Sequence, residues 1–138
     1  MTDWDWTRVV IDHVKLGVSD AEESKRFYGT VLGTLEIPPI WESERGAQYA
    51  NIVIAAAHEP TVPLHIAFVA RTRDEVDAFH RAGVEAGYRS NGAPGVREQY
   101  SSEAAGLYYA AFLLDPDGNN VEAVHRGEYR AGGGGEST

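Results

Sequence analysis

At 138 residues and 43% apolar content, the chain can form one cored domain or two half-domains sharing a core. It has no cysteine, which excludes disulfides, thiolate nucleophiles and cysteine-ligated zinc and leaves His, Asp, Glu and backbone as metal donors. A formal charge of −9 without a basic cluster argues against a nucleic-acid partner and for a solvated, cytoplasmic surface. No apolar run is long enough for a membrane span, so no membrane association is expected.

Residues 1–10 form an N-terminal segment that is acidic and aromatic, unlike a secretory leader. From residue 11 the chain alternates like a strand, Ile-Asp-His-Val-Lys-Leu-Gly-Val, and then meets a helix start. Ser19 with Glu22 has the form of a capping box, and Ala21, Phe27 and Val31 share one face of a helix ending near Gly33. Strands are predicted at 34–37, 47–50 and 51–57, with Pro38-Pro39 as a loop. The pattern then restarts: a strand from residue 63, a cap at Thr72 with Glu75, and a helix carrying Val76, Phe79 and Gly83 that ends near Gly87. Strands follow at 88–91, 108–114 and 120–125, and residues 90–95 read as a loop. Asp115-Pro-Asp-Gly-Asn119 is a tight turn, which makes 108–125 a hairpin. Residues 128–138 are a glycine-rich tail expected to be disordered.

The restart is a repeat. His13 precedes Phe27 by 14 positions and His65 precedes Phe79 by 14, and 65 − 13 = 52 also relates Glu23 to Glu75. The predicted fold is α+β, with βαβββ modules at 11–62 and 63–127. One module covers only one face of its sheet, so two modules side by side would form a curved mixed sheet around a cleft. His13 and His65 occupy matching positions and would face each other across the pseudo-symmetry axis. A lone strand histidine is usually structural; a matched pair is as consistent with a ligand pair. Glu122 lies between Val121 and Ala123 on the last strand, where burial of a carboxylate requires a partner or a cation. An edge position facing water would also account for it.

Other residues carry weaker signals. Strand parity puts Tyr108, Ala110 and Phe112 on one face and Tyr109 on the other, toward the helix. Tyr100 is a loop residue that either caps a pocket or faces solvent. Trp41 suits a cleft wall, a dimer contact or the core, and Asn51 suits a pocket or a strand start. His125 falls on the face opposite Glu122, His80 reads as a solvated helix residue and His58 as a loop residue. No Ser-His-Asp set or phosphate-binding glycine loop is present.

In this order, Ile11-Asp-His-Val14 leading to Arg26-Phe-Tyr28, then Leu64-His-Ile-Ala-Phe68, then Asp115-Pro-Asp-Gly-Asn-Asn-Val-Glu122, the chain resembles the vicinal oxygen chelate superfamily. That superfamily includes glyoxalase I, bleomycin-resistance proteins, fosfomycin-resistance enzymes and extradiol dioxygenases. The resemblance implies a glyoxalase-like fold and one divalent ion (Fe, Mn, Ni, Co or Zn) held by His13, His65 and Glu122. It further implies open metal positions that chelate neighbouring oxygens of a small organic substrate, and a homodimer whose pairing completes the cleft. Glu122 is the candidate catalytic carboxylate, and Trp41, Asn51, Tyr100, Tyr108 and Phe112 are candidate pocket residues.

Two departures narrow the chemistry. Glyoxalase I carries a further Glu ligand on the first module's last strand, and residues 51–57 hold no acid. Fosfomycin-resistance enzymes have a Tyr three residues before the Asp-Pro-Asp-Gly motif, where this chain has Phe112. The expected activity is therefore a metal-dependent lyase, isomerase or dioxygenase other than glyoxalase I or fosfomycin thiol transfer. The alternative is a metal-independent protein that sequesters a small molecule, as bleomycin-resistance proteins do.

Overall fold

The computed structural model of the protein describes residues 3–102 and 106–127, so the glycine-rich tail predicted at 128–138 lies outside the described residues. The chain runs β1 (Val14–Val18), α1 (Ala21–Gly33), β2 (Pro39–Ser43), β3 (Gly46–Tyr49) and β4 (Ile52–Ala56). It then repeats as β5 (His65–Val69), α2 (Arg73–Glu85), β6 (Arg89–Val96), β7 (Tyr109–Leu114) and β8 (Asn120–His125), with a 3-10 turn at Glu98–Tyr100. The strands form two four-stranded mixed sheets, ordered β1-β4-β3-β2 and β5-β8-β7-β6. In each, the first strand pairs parallel with the last of its module. This is the tandem βαβββ fold expected, with one difference: the sheets are hydrogen-bonded separately rather than as one continuous sheet.

The repeat is tighter than the sequence reading made it. Helix α1 is capped by Asp20, whose carboxylate accepts the Glu23 N–H at 3.1 Å, and not by Ser19. Helix α2 is capped by Thr72, whose hydroxyl accepts the Glu75 N–H at 3.1 Å. The two caps now share the histidine offset, 72 − 20 = 52. Ser19 is instead drawn away to Asp117, which accepts both its N–H and its hydroxyl. Phe27 and Phe79, the repeat-matched aromatics, are both fully buried. They sit in one core that draws on both modules, with Val31 and Leu32 from α1, Val76 from α2 and Leu113 from β7. The helices bring the modules together: the Phe27 and Tyr88 rings meet edge-on at 4.9 Å, and Arg26 reaches the Ala86 carbonyl at 3.4 Å.

Three strand assignments need correction. Residues 34–37 are a turn, closed by Leu35 and Ile37 N–H groups donating to the Leu32 carbonyl, with Glu36 at φ 60°. The strand starts later, at Pro39, on a sheet edge where a proline without an N–H breaks no ladder. In the second module the predicted loop at 90–95 is part of β6, another edge strand. Its glycines and proline sit at two register irregularities, between Ser90 and Gly92 and between Gly92 and Gly95.

Gly46 shows how closely β3 and β4 approach. A Cβ there would stand 2.1 Å from the Ile54 carbonyl oxygen, a backbone atom that cannot turn aside. Gly46→Ala is therefore expected to destabilise the fold by about 2–3 kcal/mol. Gly33→Ala, where nothing lies within 4 Å, serves as its neutral control. Parallel thermal melts check the pair; equal Tm values would contradict the contact.

Candidate metal centre

Helix α2 covers one face of the second sheet. Val121 and Ala123 of β8 point into that core, so Glu122 and Val124 point to the opposite, open face. Even there Glu122 is only 1% exposed. Its cover comes from the neighbouring strands. Phe112 is its direct cross-strand partner on β7. His65 lies two pairs along β5 on the same face, with His65 opposite Asn120 and Ala67 opposite Glu122. The His65 imidazole meets the carboxylate at 2.6 Å, Nε2 to Oε1. Tyr108 donates its hydroxyl to the other oxygen, Oε2. The Tyr100 ring stands 5.1 Å from Tyr108, and the His65 ring 6.3 Å from Phe112. Five of the predicted site residues, His65, Glu122, Tyr100, Tyr108 and Phe112, thus gather on one face.

The other three lie on the first sheet. His13 precedes β1 and is exposed; its Nδ1 lies 2.7 Å from the Asp12 carboxylate, which turns Nε2 away from that contact. Asn51 donates to the Ile11 carbonyl at 3.3 Å. Trp41 of β2 donates its indole N–H to Gln48 at 2.9 Å, and these two are register partners on the face away from α1. Among the described residues, no three His, Cys, Asp or Glu side chains converge on a point that could hold a metal ion. His65 and Glu122 fit two positions of a divalent ion, being a nitrogen and an oxygen donor already in contact.

Parity readings of the remaining residues held. Tyr109 turns to α2 and donates to Asp77 at 2.6 Å, and the His125 ring reaches the Ala70 carbonyl at 3.1 Å. His80 differs: it is half-buried and bonded to Ser90 of β6 at 2.7 Å, and burial lowers its pKa. Sequence reasoning also passed over two arginines. The Arg97 guanidinium lies over the Phe112 ring at 5.2 Å, and that of Arg126 over the Tyr108 ring at 4.8 Å. Parity offered a signal for the second, since residues 122, 124 and 126 share a face.

Comparison with known proteins agrees with this architecture. A glyoxalase/bleomycin resistance protein from Albidiferax ferrireducens is 35% identical in sequence and superposes with a TM-score of 0.70, over 83% of this chain and 98% of its own. A glyoxalase-related enzyme from Fulvimarina pelagi, 22% identical, shares the fold with a TM-score of 0.62 over 94% and 96% of the two chains. The protein YqjT of Bacillus subtilis (strain 168) is 29% identical across 126 residues, 81% of this chain and 95% of its own. The model of the Glyoxalase/Bleomycin resistance protein/Dioxygenase superfamily matches residues 10–123, a span that starts just ahead of His13 and ends just past Glu122. The chain is a member of that superfamily.

Proposed function

We propose that the protein is a divalent-metal enzyme acting on a small organic molecule with two neighbouring oxygens, and that His13, His65 and Glu122 are the metal ligands. The observation that carries this reading is the buried carboxylate of Glu122 held against His65 at 2.6 Å on an open sheet face. A carboxylate so far removed from water needs a cation or strong donors. When bound, the metal supplies a Lewis acid toward the substrate oxygens. Tyr108 fixes one oxygen of Glu122 and leaves the other toward His65. Phe112 and Tyr108 keep that carboxylate out of water.

A homodimer is part of the proposal. The N-terminal segment leaves Trp6, Val9, Val10 and Ile11 more than half exposed, an apolar run that a second copy would cover. Strands β1 and β5 are edges of their sheets, opposite the edges formed by β2 and β6, and His13 precedes β1 while His65 starts β5. Pairing one copy's first module with the other's second module would supply His13 to His65 and Glu122 twice over, by symmetry.

The test is elemental analysis of protein purified without chelator, then loaded with Fe(II), Mn(II), Ni(II), Co(II) or Zn(II). About one ion per chain is expected, with a raised Tm for the loaded protein. His65→Ala and Glu122→Ala should lose both. Wild-type protein that binds none of these ions overturns the reading. The separation of His13 from the other two within one copy favours, as a second reading, a metal-independent small-molecule-binding protein. That reading requires ligand binding to persist unchanged in His13→Ala and Glu122→Ala.

A further inference from the structure

The open face of the second sheet carries two arginines, Arg97 and Arg126, that form no ion pair among the described residues. Three basic side chains have a carboxylate partner: Arg26 pairs with Glu23, Arg71 with Glu36 and Glu75, Lys25 with Glu22. Arg97 and Arg126 have none among the described residues, although both are half-buried. The backbone N–H of Arg97 donates to the Tyr108 carbonyl at 2.7 Å, and the β7–β8 register continued by one pair sets Tyr108 opposite Arg126. The three therefore form a row across adjacent strands, Arg97, Tyr108, Arg126, on the face that holds Glu122.

Arg97 is held in place. Its Nη2 donates to the Ala93 carbonyl at 2.7 Å. A Cβ at Gly95 would come within 3.1 Å of its Nη1, and one at Gly92 within 3.2 Å of its Nη2. The bulged, glycine-bearing edge strand β6 thus makes the slot in which this guanidinium lies over Phe112. A guanidinium has five donors, and the slot occupies one. Each head group lies one aromatic ring away from Glu122: Arg97 on Phe112, its cross-strand partner, and Arg126 on Tyr108, its hydrogen-bond donor. Ring backing desolvates one side of each cation and leaves its edge free to fork onto an oxyanion.

We infer that Arg97 and Arg126 form an oxyanion-binding subsite on the open face beside Glu122, and that the substrate is an organic acid bearing a carboxylate or phosphate arm. This rests on the reading of that face as the substrate cleft and names the substrate class for it. The metal would take the neighbouring oxygens; the arginine pair would take the acidic arm and set which end of the molecule faces His65.

The experiment uses the full chain, both as purified and after chelator treatment, titrated with benzoate, benzamide, phenyl phosphate and phenol and followed by backbone amide NMR. Benzoate should bind about tenfold more tightly than benzamide, with shifts concentrated at Arg97, Tyr108 and Arg126. Phenyl phosphate set against phenol reports whether phosphate serves as well as carboxylate. Arg97→Gln and Arg126→Gln should each remove most of the preference for the acid, and the lysine variants should keep part of it. If arginine only covers the rings, the glutamine variants would lower Tm and leave the benzoate-to-benzamide ratio unchanged, which overturns the inference. So would the absence of saturable benzoate binding, or a ratio within about twofold of unity in wild-type protein, a measurement that needs no variant. Failure of the metal reading would appear separately, as identical titrations before and after chelation.

Discussion

An equimolar mixture of His13→Ala and Glu122→Ala chains, unfolded and refolded together, is expected to hold about a quarter of the wild-type metal, although each variant alone holds none. The arithmetic follows from two-fold pairing. About half of the dimers formed at random contain one chain of each kind. In such a dimer one site takes its His13 and its Glu122 from the two mutated positions, and the other takes both from intact ones. One site in two is restored, in half of the molecules. A site built within a single chain recovers nothing under the same treatment, because each chain lacks one ligand wherever it goes. The physical basis is the placement of His13, exposed beside β1, bonded to Asp12 and, among the described residues, in no three-ligand cluster with His65 and Glu122. Metal content by elemental analysis and the Tm increment on loading should recover in step. Zero recovery from variants that refold to wild-type Tm in the absence of metal would remove the shared site.

Much of the fold was legible because it depends on short-range periodicity. The 14-residue spacing from His13 to Phe27 and from His65 to Phe79 marks a strand followed by a helix whose aromatic is buried, and both rings are. Parity placed Tyr108, just ahead of β7, and Phe112 on one face, and Glu122 on the neighbouring strand joins them. What was not legible depends on other physics. Strands β2 and β6 contain Pro39 and Pro94 with Gly92 and Gly95, residues that signal loops, and they exist as strands because an edge tolerates missing donors and bulges. How the two modules pack against each other rests on contacts such as Phe27 on Tyr88, and no period in the sequence encodes those. Nothing in the sequence signals Arg97, whose guanidinium reaches over the Phe112 ring although Phe112 is the register partner of Gly92.

The second large effect is expected at the Asp115 turn, whose role in the sequence reading was only to reverse the chain. Asp115 is buried, and its carboxylate is a hub. Oδ1 accepts the N–H groups of Asp117 and Asn119, each at 2.9 Å, and Oδ2 accepts the Tyr28 hydroxyl at 2.6 Å. Tyr28 belongs to α1, so this one bond ties the second module's hairpin to the first module's helix. Burial, and then the charge of Asp115, push the Tyr28 pKa up, so the phenol remains a donor throughout the ordinary pH range. Asn119 extends the link: its side chain accepts the Leu64 N–H at 2.9 Å and donates to the Thr61 carbonyl at 2.8 Å, fixing the connection that leads into β5 and His65. Asp115→Ala would leave a buried phenol and two turn N–H groups without acceptors, a loss of about 3–5 kcal/mol. Tyr28→Phe removes one donor and leaves the carboxylate its turn bonds, so about 1–2 kcal/mol is expected. In the double variant the two losses should fall short of their sum by about the energy of the shared bond, as chemical denaturation of all four proteins would measure. Strict additivity would mean that the bond contributes nothing. Sub-additivity would identify the Asp115 turn as a joint between the first module's helix and the second module's hairpin.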